Sequence, residues 1–141
     1  MTVETKMDFA ALIAEAARYA RPIKPTRKCE AGSVAALIVT ASGRHYTGVC
    51  MEFTSGMGFC AEHAAVADML KDHETQIAHV VAVHKSGKIY PPCGRCREMM
   101  WQLDTRNRDA MVILAPDLAK PLHELLPYPA YPTTGLMIGG A

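Results

Sequence analysis

Two short segments carry three of the five cysteines and constrain this chain more than any other feature. Cys60 stands two residues before Glu62, and Cys93 and Cys96 form a Cys-x-x-Cys pair that follows two prolines. A closed structural zinc site takes four protein ligands, whereas a catalytic site takes three and keeps one position for water. Three cysteines and a carboxylate therefore predict a catalytic metal centre, and soft thiolate ligands favour Zn²⁺.

Composition limits the classes of protein that such a chain can belong to. A length of 141 residues, of which 50% are hydrophobic, suits a single domain over residues 1–141 with a packed core. A formal net charge of +1 lacks the basic excess of nucleic-acid-binding proteins, so we expect a small-molecule substrate and no nucleic-acid partner.

The chain also lacks the signals of export and membrane insertion. Its first residues are polar, and no apolar run approaches the ~20 residues that span a bilayer, so we predict a cytoplasmic protein with no membrane partner. In a reducing compartment, an odd number of cysteines favours metal binding over a disulfide framework. Cys29 and Cys50 then remain outside the metal set.

The hydrophobic pattern predicts alternating helices and strands. Apolar spacing indicates a first helix over residues 7–20, with a capping box at residues 5–8 and prolines at positions 22 and 25 marking its end. Residues 52–58 are rich in glycine and hydroxyl side chains and form a loop that leads to Cys60. The alternation predicts an α/β fold with a mixed sheet covered by helices. The remaining predicted elements are strands over 34–40, 45–50, 77–83 and 110–114, and helices over 60–71 and 95–103.

Both cysteine motifs fall at predicted helix N-termini, where free N–H groups and the helix dipole stabilise thiolate charge. Three thiolates on Zn²⁺ leave a net charge of minus one, which opposes the usual lowering of the water pKa towards about 7. Arg95 or Arg97 could compensate by donating a hydrogen bond to a thiolate. The alternative is that these two arginines form a solvated surface pair.

Glu62 is placed to act as a proton carrier. A carboxylate beside a metal centre can take a proton from water and return it to the substrate, which is general base and general acid catalysis by one group. A glutamate in the first turn of a helix can also simply complement the helix dipole. Its position two residues after Cys60 favours the catalytic interpretation.

Other functions use Cys-x-x-Cys pairs, notably thiol redox proteins and structural zinc ribbons. Redox chemistry would leave Cys60 and Glu62 without a role. A closed ribbon needs a fourth ligand, which Cys29, Cys50 or one of the six histidines could supply. A non-catalytic, zinc-stabilised module is therefore the alternative from a different class.

The two motifs match the zinc deaminase pattern, in which Cys-x-Glu is followed by Pro-Cys-x-x-Cys and the glutamate is not a ligand. The chain resembles the small, single-domain cytidine deaminase family, including its blasticidin-S deaminase branch, from residue 34 to residue 127. Residues 42–48 look like the family's strand turn, and residues 124–127 look like its C-terminal segment. The resemblance implies a three-layer α/β/α fold with a five-stranded mixed sheet, and a homotetramer whose sites are completed by neighbouring subunits.

The resemblance also implies roles for individual residues. Cys60, Cys93 and Cys96 match the zinc ligands, and Glu62 matches the proton shuttle. The backbone N–H of Ala61 would bind the pyrimidine carbonyl. The carbonyl of Pro91 would accept a hydrogen bond from the exocyclic amine.

Several positions depart from the family pattern. The ribose-binding strand of the family reads Gly-x-Asn-x-Glu, and Cys50 stands here in place of the asparagine while Glu52 is retained. A thiol is a weak donor, so contact with an ordinary ribose is altered. His63 replaces an arginine of the family, which shifts charge compensation to Arg95 or Arg97. Tyr128 or Tyr131 would correspond to a C-terminal aromatic residue that caps a site, and packing in the core is the alternative for both.

From these residues we predict a zinc-dependent hydrolase that converts a cytosine nucleoside, such as cytidine or deoxycytidine, to its uracil form and releases ammonia. A blasticidin-S-type nucleoside, or a modified nucleoside or base, is the alternative substrate on the same fold. A polynucleotide-editing deaminase is disfavoured by the weak net charge.

Overall fold

A computed structural model describes residues 7–130, in which six strands form one mixed sheet. None of the helices in that range is long and apolar enough to cross a bilayer. Two 3₁₀ helices cover Thr54–Gly56 and Thr105–Asp109. The other elements are α1 (Phe9–Ala17), β1 (Ile23–Thr26), β2 (Cys29–Thr40), β3 (His45–Glu52), α2 (Ala61–Lys71), β4 (Ile77–His84), α3 (Gly94–Leu103), β5 (Met111–Ala115), β6 (Leu118–Pro121) and α4 (Leu122–Leu125).

The long strand β2 is an interior strand of the sheet. It pairs along one side with β3 and along the other with β4, and its first residues pair with β1. β4 and β5 run parallel, and β6 returns antiparallel to β5. The sheet is therefore mixed, as the sequence predicts.

The sheet has one strand more than the five that the family resemblance implied, and neither β1 nor β6 lies in a segment that was predicted as a strand. Strand β1 is fully exposed and pairs only with the first residues of β2. β1 contains Pro25, whereas the sequence pattern indicated this proline only as a mark of the end of the first helix. Proline is tolerated in an edge strand because the missing N–H would face solvent there.

Helices cover both faces of the sheet, so the predicted three-layer α/β/α architecture is confirmed. On one face, α1 packs Leu12 and Ala16 against apolar residues of β2 and β4. On the other face, α2 and α3 form a larger core with the opposite side of the sheet. Buried members of that second core include Ala36, Ile38, Val66, Met69, Val80, Met100 and Trp101.

Close contact between α2 and β3 fixes the helix that follows Cys60. A Cβ atom added to Gly48 would lie 2.5 Å from the backbone nitrogen of Ala65. Only glycine leaves room for the helix backbone at this distance. The N-terminus of α2 is thus held directly over the sheet.

Several element boundaries differ from the predicted ones. α1 ends at Ala17, and its cap is Asp8, whose side chain accepts a hydrogen bond from the Ala11 N–H at 3.2 Å. Part of the predicted capping box, including Thr5, lies outside the described residues. β2 begins five residues earlier than expected, and β6 was not predicted. α2 and α3 agree with the predicted helices to within one residue at each end.

Candidate active site

Three thiols converge at the N-termini of two helices. Cys60 is the N-cap residue of α2, Cys93 is the N-cap residue of α3, and Cys96 lies in the first turn of α3. Their Sγ atoms lie within 4.8 Å of one another, and those of Cys60 and Cys93 are 3.5 Å apart. Tetrahedral zinc with Zn–S bonds of about 2.3 Å requires sulfur atoms roughly 3.8 Å apart. The cluster therefore fits a zinc ion.

The ligand set matches an open metal site. Among residues 7–130, the cluster consists of the three thiols alone, and no histidine, aspartate, glutamate or further cysteine is part of it. A zinc ion held here would keep one position for a non-protein ligand, as catalytic sites do. Neither Cys29 nor Cys50, which the sequence offered as a fourth ligand, is part of the cluster.

Backbone bridges attach both ligand loops to the sheet. Phe59 and Met51 exchange two backbone hydrogen bonds of 3.0 and 3.1 Å, which hold Cys60 beside the end of β3. The Tyr90 N–H donates to the Ala82 carbonyl at 2.9 Å and holds the second loop beside β4. Since β3 and β4 both pair with β2, the three thiols are positioned by one rigid scaffold.

Burial and helix N-termini act in opposite directions on the thiols. Burial raises the pKa of Cys60 and of Cys96. Burial also tends to raise the pKa of Cys93, but hydrogen bonds to this thiol outweigh burial and lower its pKa overall. The donors are the backbone N–H groups of Cys96 and Arg95 and the neighbouring thiols. The start of α3 thus favours one thiolate, and bound zinc deprotonates the thiols that coordinate it.

Glu62 is the buried carboxyl group beside the cluster. It is the second residue of α2 and is only 4% exposed. Burial raises the pKa of Glu62, and a hydrogen-bond contact with the Cys96 thiol opposes this in part. A carboxyl group that gains and loses its proton nearer neutral pH suits general acid and base catalysis.

Three side chains could influence the charge of the cluster. His63 Nδ1 lies 3.5 Å from Cys96 Sγ, and burial, followed by the positive charge of Arg95, lowers the pKa of His63. Arg95 lines the pocket beside Cys93. Arg97 donates from Nε to the Pro92 carbonyl and from Nη1 to the Leu125 carbonyl, both at 2.8 Å.

The sequence pattern includes His63 only among the six histidines that could supply a fourth ligand, and it does not predict the contact with the Cys96 thiol. The position of His63 three residues after Cys60, on the first turn of α2, is the signal that was present in the sequence.

A pocket of about 480 Å³ opens beside the cluster and Glu62. All four residues proposed to contact substrate line it, namely Cys50, Glu52, Ala61 and Pro91. Its size falls in the range of small-molecule sites. Several other residues of the pocket wall were not predicted from the sequence, among them Ser33, Val34, Phe53 and Tyr90.

Some of these pocket residues could have been predicted from the sequence, and others could not. Tyr90 immediately precedes Pro91, and its ring stacks on His84 with 4.9 Å between centroids. Ser33 reaches the pocket through strand pairing with β3, which local sequence does not reveal. Tyr128, a candidate cap, is 91% exposed, and Tyr131 lies outside the described residues.

Fold and site together define a zinc enzyme with an open ligand position and a buried carboxyl group in a substrate-sized pocket. Residues 5–112 match the family described as the cytidine and deoxycytidylate deaminase zinc-binding region, and the chain belongs to this family. It is therefore a deaminase of the hydrolase class with a zinc cofactor.

Solved structures of bacterial cytidine deaminases share this fold. The enzyme from Mycobacterium tuberculosis is 25% identical with a TM-score of 0.74, over 89% of this chain and 99% of that one. The enzyme from Burkholderia pseudomallei is 27% identical with a TM-score of 0.67, over 87% of this chain and 99% of that one. The enzyme from Mycobacterium leprae, at 22% identity and a TM-score of 0.72, supports the fold alone, over 87% and 100% of the two chains. No curated protein matches the chain by sequence.

Proposed function

We propose that this protein deaminates cytosine nucleosides, replacing the exocyclic amino group with a carbonyl oxygen and releasing ammonia. The observation that carries the proposal is the buried Glu62 carboxyl group in a pocket beside three converging thiols. The similar structures from M. tuberculosis and B. pseudomallei are cytidine deaminases, which supports the same substrate class here.

In this proposal the chain itself handles the protons. When bound by Cys60, Cys93 and Cys96, zinc supplies a Lewis acid that activates water. The Glu62 carboxylate takes one proton from the attacking water and passes it to the ring nitrogen. It then takes the second proton from the hydroxyl group now on the ring carbon and passes it to the amine, which leaves as ammonia. The burial of Glu62 supports this role, because exclusion of water strengthens electrostatic interactions at the reacting atoms.

Backbone groups would orient the base. Ala61 is the first residue of α2, and the first N–H groups of a helix have no partner within the helix. The Ala61 N–H is therefore free to bind the pyrimidine carbonyl. The Pro91 carbonyl, in the loop tied to β4, would accept from the exocyclic amine.

Charged side chains would complete the site. Glu52 is exposed at the end of β3 and would accept a hydrogen bond from a sugar hydroxyl, while Cys50 lies in the same wall. We assign charge compensation to Arg95. His63, whose lowered pKa favours the neutral imidazole, would contribute only a hydrogen bond to the Cys96 sulfur. Arg97 would act less directly, because its two hydrogen bonds hold the loop that carries Cys93.

A modified or blasticidin-S-type nucleoside is the second candidate substrate. Phe53 and Tyr90 line the pocket and are 40% and 41% exposed, so a substituent on the nucleoside would meet aromatic surface that is open to solvent. A non-catalytic zinc module is disfavoured because residues 7–130 supply no fourth ligand to the cluster.

The test is an ammonia-release screen of zinc-loaded protein. The substrates are cytidine, deoxycytidine, 5-substituted cytidines, blasticidin S, and purine nucleosides as a chemically distinct set. We expect turnover of at least one cytosine compound and none of the purine nucleosides. If protein with one zinc ion per chain deaminates no cytosine compound, the proposed substrate class is wrong.

A further inference from the structure

A bulge in β2 opposite Cys50 shapes the pocket wall next to Glu52. Ala31 pairs with Met51 and Ala35 pairs with Val49, so residues 32–34 of β2 stand opposite the single residue Cys50 of β3. Gly32 makes this possible with a φ of +87°, and a Cβ there would lie 2.7 Å from the Arg21 carbonyl oxygen. Such a bulge changes the direction of the side chains that follow it.

The sulfur of Cys50 fills the space opposite this bulge. The Val34 N–H, which points towards β3 at the bulge, donates to Cys50 Sγ at 3.4 Å. The Ser33 Oγ lies 3.3 Å from the same sulfur. Cys50 is 9% exposed, so most of its surface is used in these contacts and in the core behind them. The Cys50 side chain is therefore better placed to support the bulge than to contact a ligand.

Ser33 is then the side chain of this pair that is better suited to hydrogen-bond a ligand. It is only partly buried and lines the pocket together with Glu52 and Glu62. A serine hydroxyl has one donor and two acceptor sites, so the contact with Cys50 leaves capacity for another partner. On the other side, the Ser33 carbonyl accepts from the Lys85 N–H at 2.7 Å, which anchors the residue to the end of β4.

We propose that Ser33 hydrogen-bonds the 2′- or the 3′-hydroxyl group of the substrate's sugar, and that Cys50 is a positioning residue that orients Ser33. This inference rests on the proposed function, because it takes a cytosine nucleoside as the substrate. It names a specificity-determining residue that the sequence motif does not contain. Ser33 and Glu52 would then form the two polar contacts of the sugar site.

Comparing one variant on three substrates tests the role of Ser33. Zinc-loaded wild type and Ser33→Ala are assayed with cytidine, 2′-deoxycytidine and 3′-deoxycytidine. A lost hydrogen bond between neutral groups should raise KM for cytidine by about three- to tenfold, with kcat changed by less than about twofold. The effect should disappear with the deoxy substrate that lacks the hydroxyl contacted by Ser33.

Because the three substrates meet the same folded variant, a general loss of stability cannot produce this pattern. Ser42→Ala, in the turn at the far end of β2, serves as the matched control and should leave all three KM values unchanged. Equal effects of Ser33→Ala on all three substrates, or no effect on any, would overturn the role of Ser33. Wild type that deaminates none of the three would instead refute the substrate on which the inference rests.

The role of Cys50 is tested by a double variant. Cys50→Ala should raise KM for cytidine but should add little in the Ser33→Ala background, since both changes remove the same contact. Cys50→Ser keeps a polar atom beside Ser33 and should restore most of the affinity. Independent, multiplying effects of the two alanine substitutions would show that Cys50 does not act through Ser33.

Discussion

At the scale of single residues, two carboxyl groups in one pocket differ in their surroundings. Glu62 is 4% exposed and its pKa is raised by burial, whereas Glu52 is an exposed residue at the end of β3. Groups of the same chemistry can take different roles when their environments differ in this way. The buried group suits proton transfer, and the exposed group suits binding of a sugar hydroxyl.

We predict that Glu62→Gln keeps zinc but loses activity. The amide fills the same volume and cannot carry the proton, so kcat should fall by about 10²- to 10⁴-fold or more. Zinc content measured by atomic absorption should remain at one ion per chain. Glu124→Gln, at an exposed position of α4 outside the pocket, is the control and should keep wild-type kcat. Retention of kcat within tenfold by Glu62→Gln would contradict the assigned role.

Arg97 gives a second prediction at this scale. Its bonds to the Pro92 and Leu125 carbonyls hold the loop that precedes Cys93, so Arg97→Ala should loosen one metal ligand. Loss of a supporting contact of this kind typically weakens metal affinity by about 10- to 100-fold. Competition with a chromogenic chelator measures the change. The exposed Arg108→Ala is the control, and equal zinc affinity in both variants would show that Arg97 does not support the site.

At the scale of elements, the 3₁₀ helix Thr105–Asp109 connects α3 to β5 through a charged cap. Asp104 caps this helix by accepting from the Arg106 N–H, and its carboxylate also accepts from the Arg106 side chain and from the Thr75 hydroxyl. These bonds, led by that of the Arg106 side chain, lower the pKa of Asp104 to about 2. We therefore expect this cap to weaken only in strong acid, as the pH approaches 2 and Asp104 gains a proton.

We predict that Asp104→Asn loses stability only where Asp104 is ionised. The folded-state pKa lies below the ordinary value of 3.8, so the contribution is complete above pH 3.8 and is lost as the pH falls towards 2. Because Arg106 is largely exposed, we expect a difference of about 1 kcal/mol at pH 6. Urea unfolding of both proteins from pH 6 to pH 2.5 measures it, with Asp117→Asn in the β5–β6 turn as control. A difference that stays constant across this range would contradict the prediction.

The sequence predicted the elements that carry the ligands better than the edges of the sheet. α2 and α3 have clear helical spacing and begin at cysteines, so their positions followed from local pattern. β1 and β6 are four-residue strands with little apolar pattern, and pairing with β2 and β5 determines them. Tertiary pairing of this kind is not visible in a short window of sequence.

The candidate site was predictable to a similar, partial extent. The three thiols were identified because their spacing is unusual, and the structure brings them together. Ser33 was missed because a bulge and a register across two strands bring it to the pocket. His63 was missed because its relation to the cluster depends on the direction of α2 relative to α3.

At the scale of the whole molecule, a groove between α2 and α3 leaves apolar side chains accessible. Leu70 is 44% exposed and lies in this groove with Met99 and Leu103. Apolar surface of this kind is typical of contacts between copies of a chain. It supports the proposal of a homotetramer in which a second copy covers the groove.

We therefore predict that the zinc-loaded protein sediments as a tetramer. Four chains of 15.3 kDa give a mass of about 61 kDa. Sedimentation equilibrium at micromolar concentration measures this mass, and Leu70→Glu should shift it downward by placing a charge in the covered groove. Lys71→Glu, at the neighbouring exposed position, is the control. A wild-type mass near that of one chain would contradict the proposal.

The paired bonds between Met51 and Phe59 have a consequence for engineering this protein. Residues 52–58 form a loop whose two ends are fixed by these hydrogen bonds. The length and composition of this loop can therefore be varied while Cys60 stays in place. Libraries of variants at residues 53–57 could then be screened for new substrates while the three thiols and Glu62 stay unchanged. The same bridge offers a natural joint at which segments from other deaminases could be exchanged.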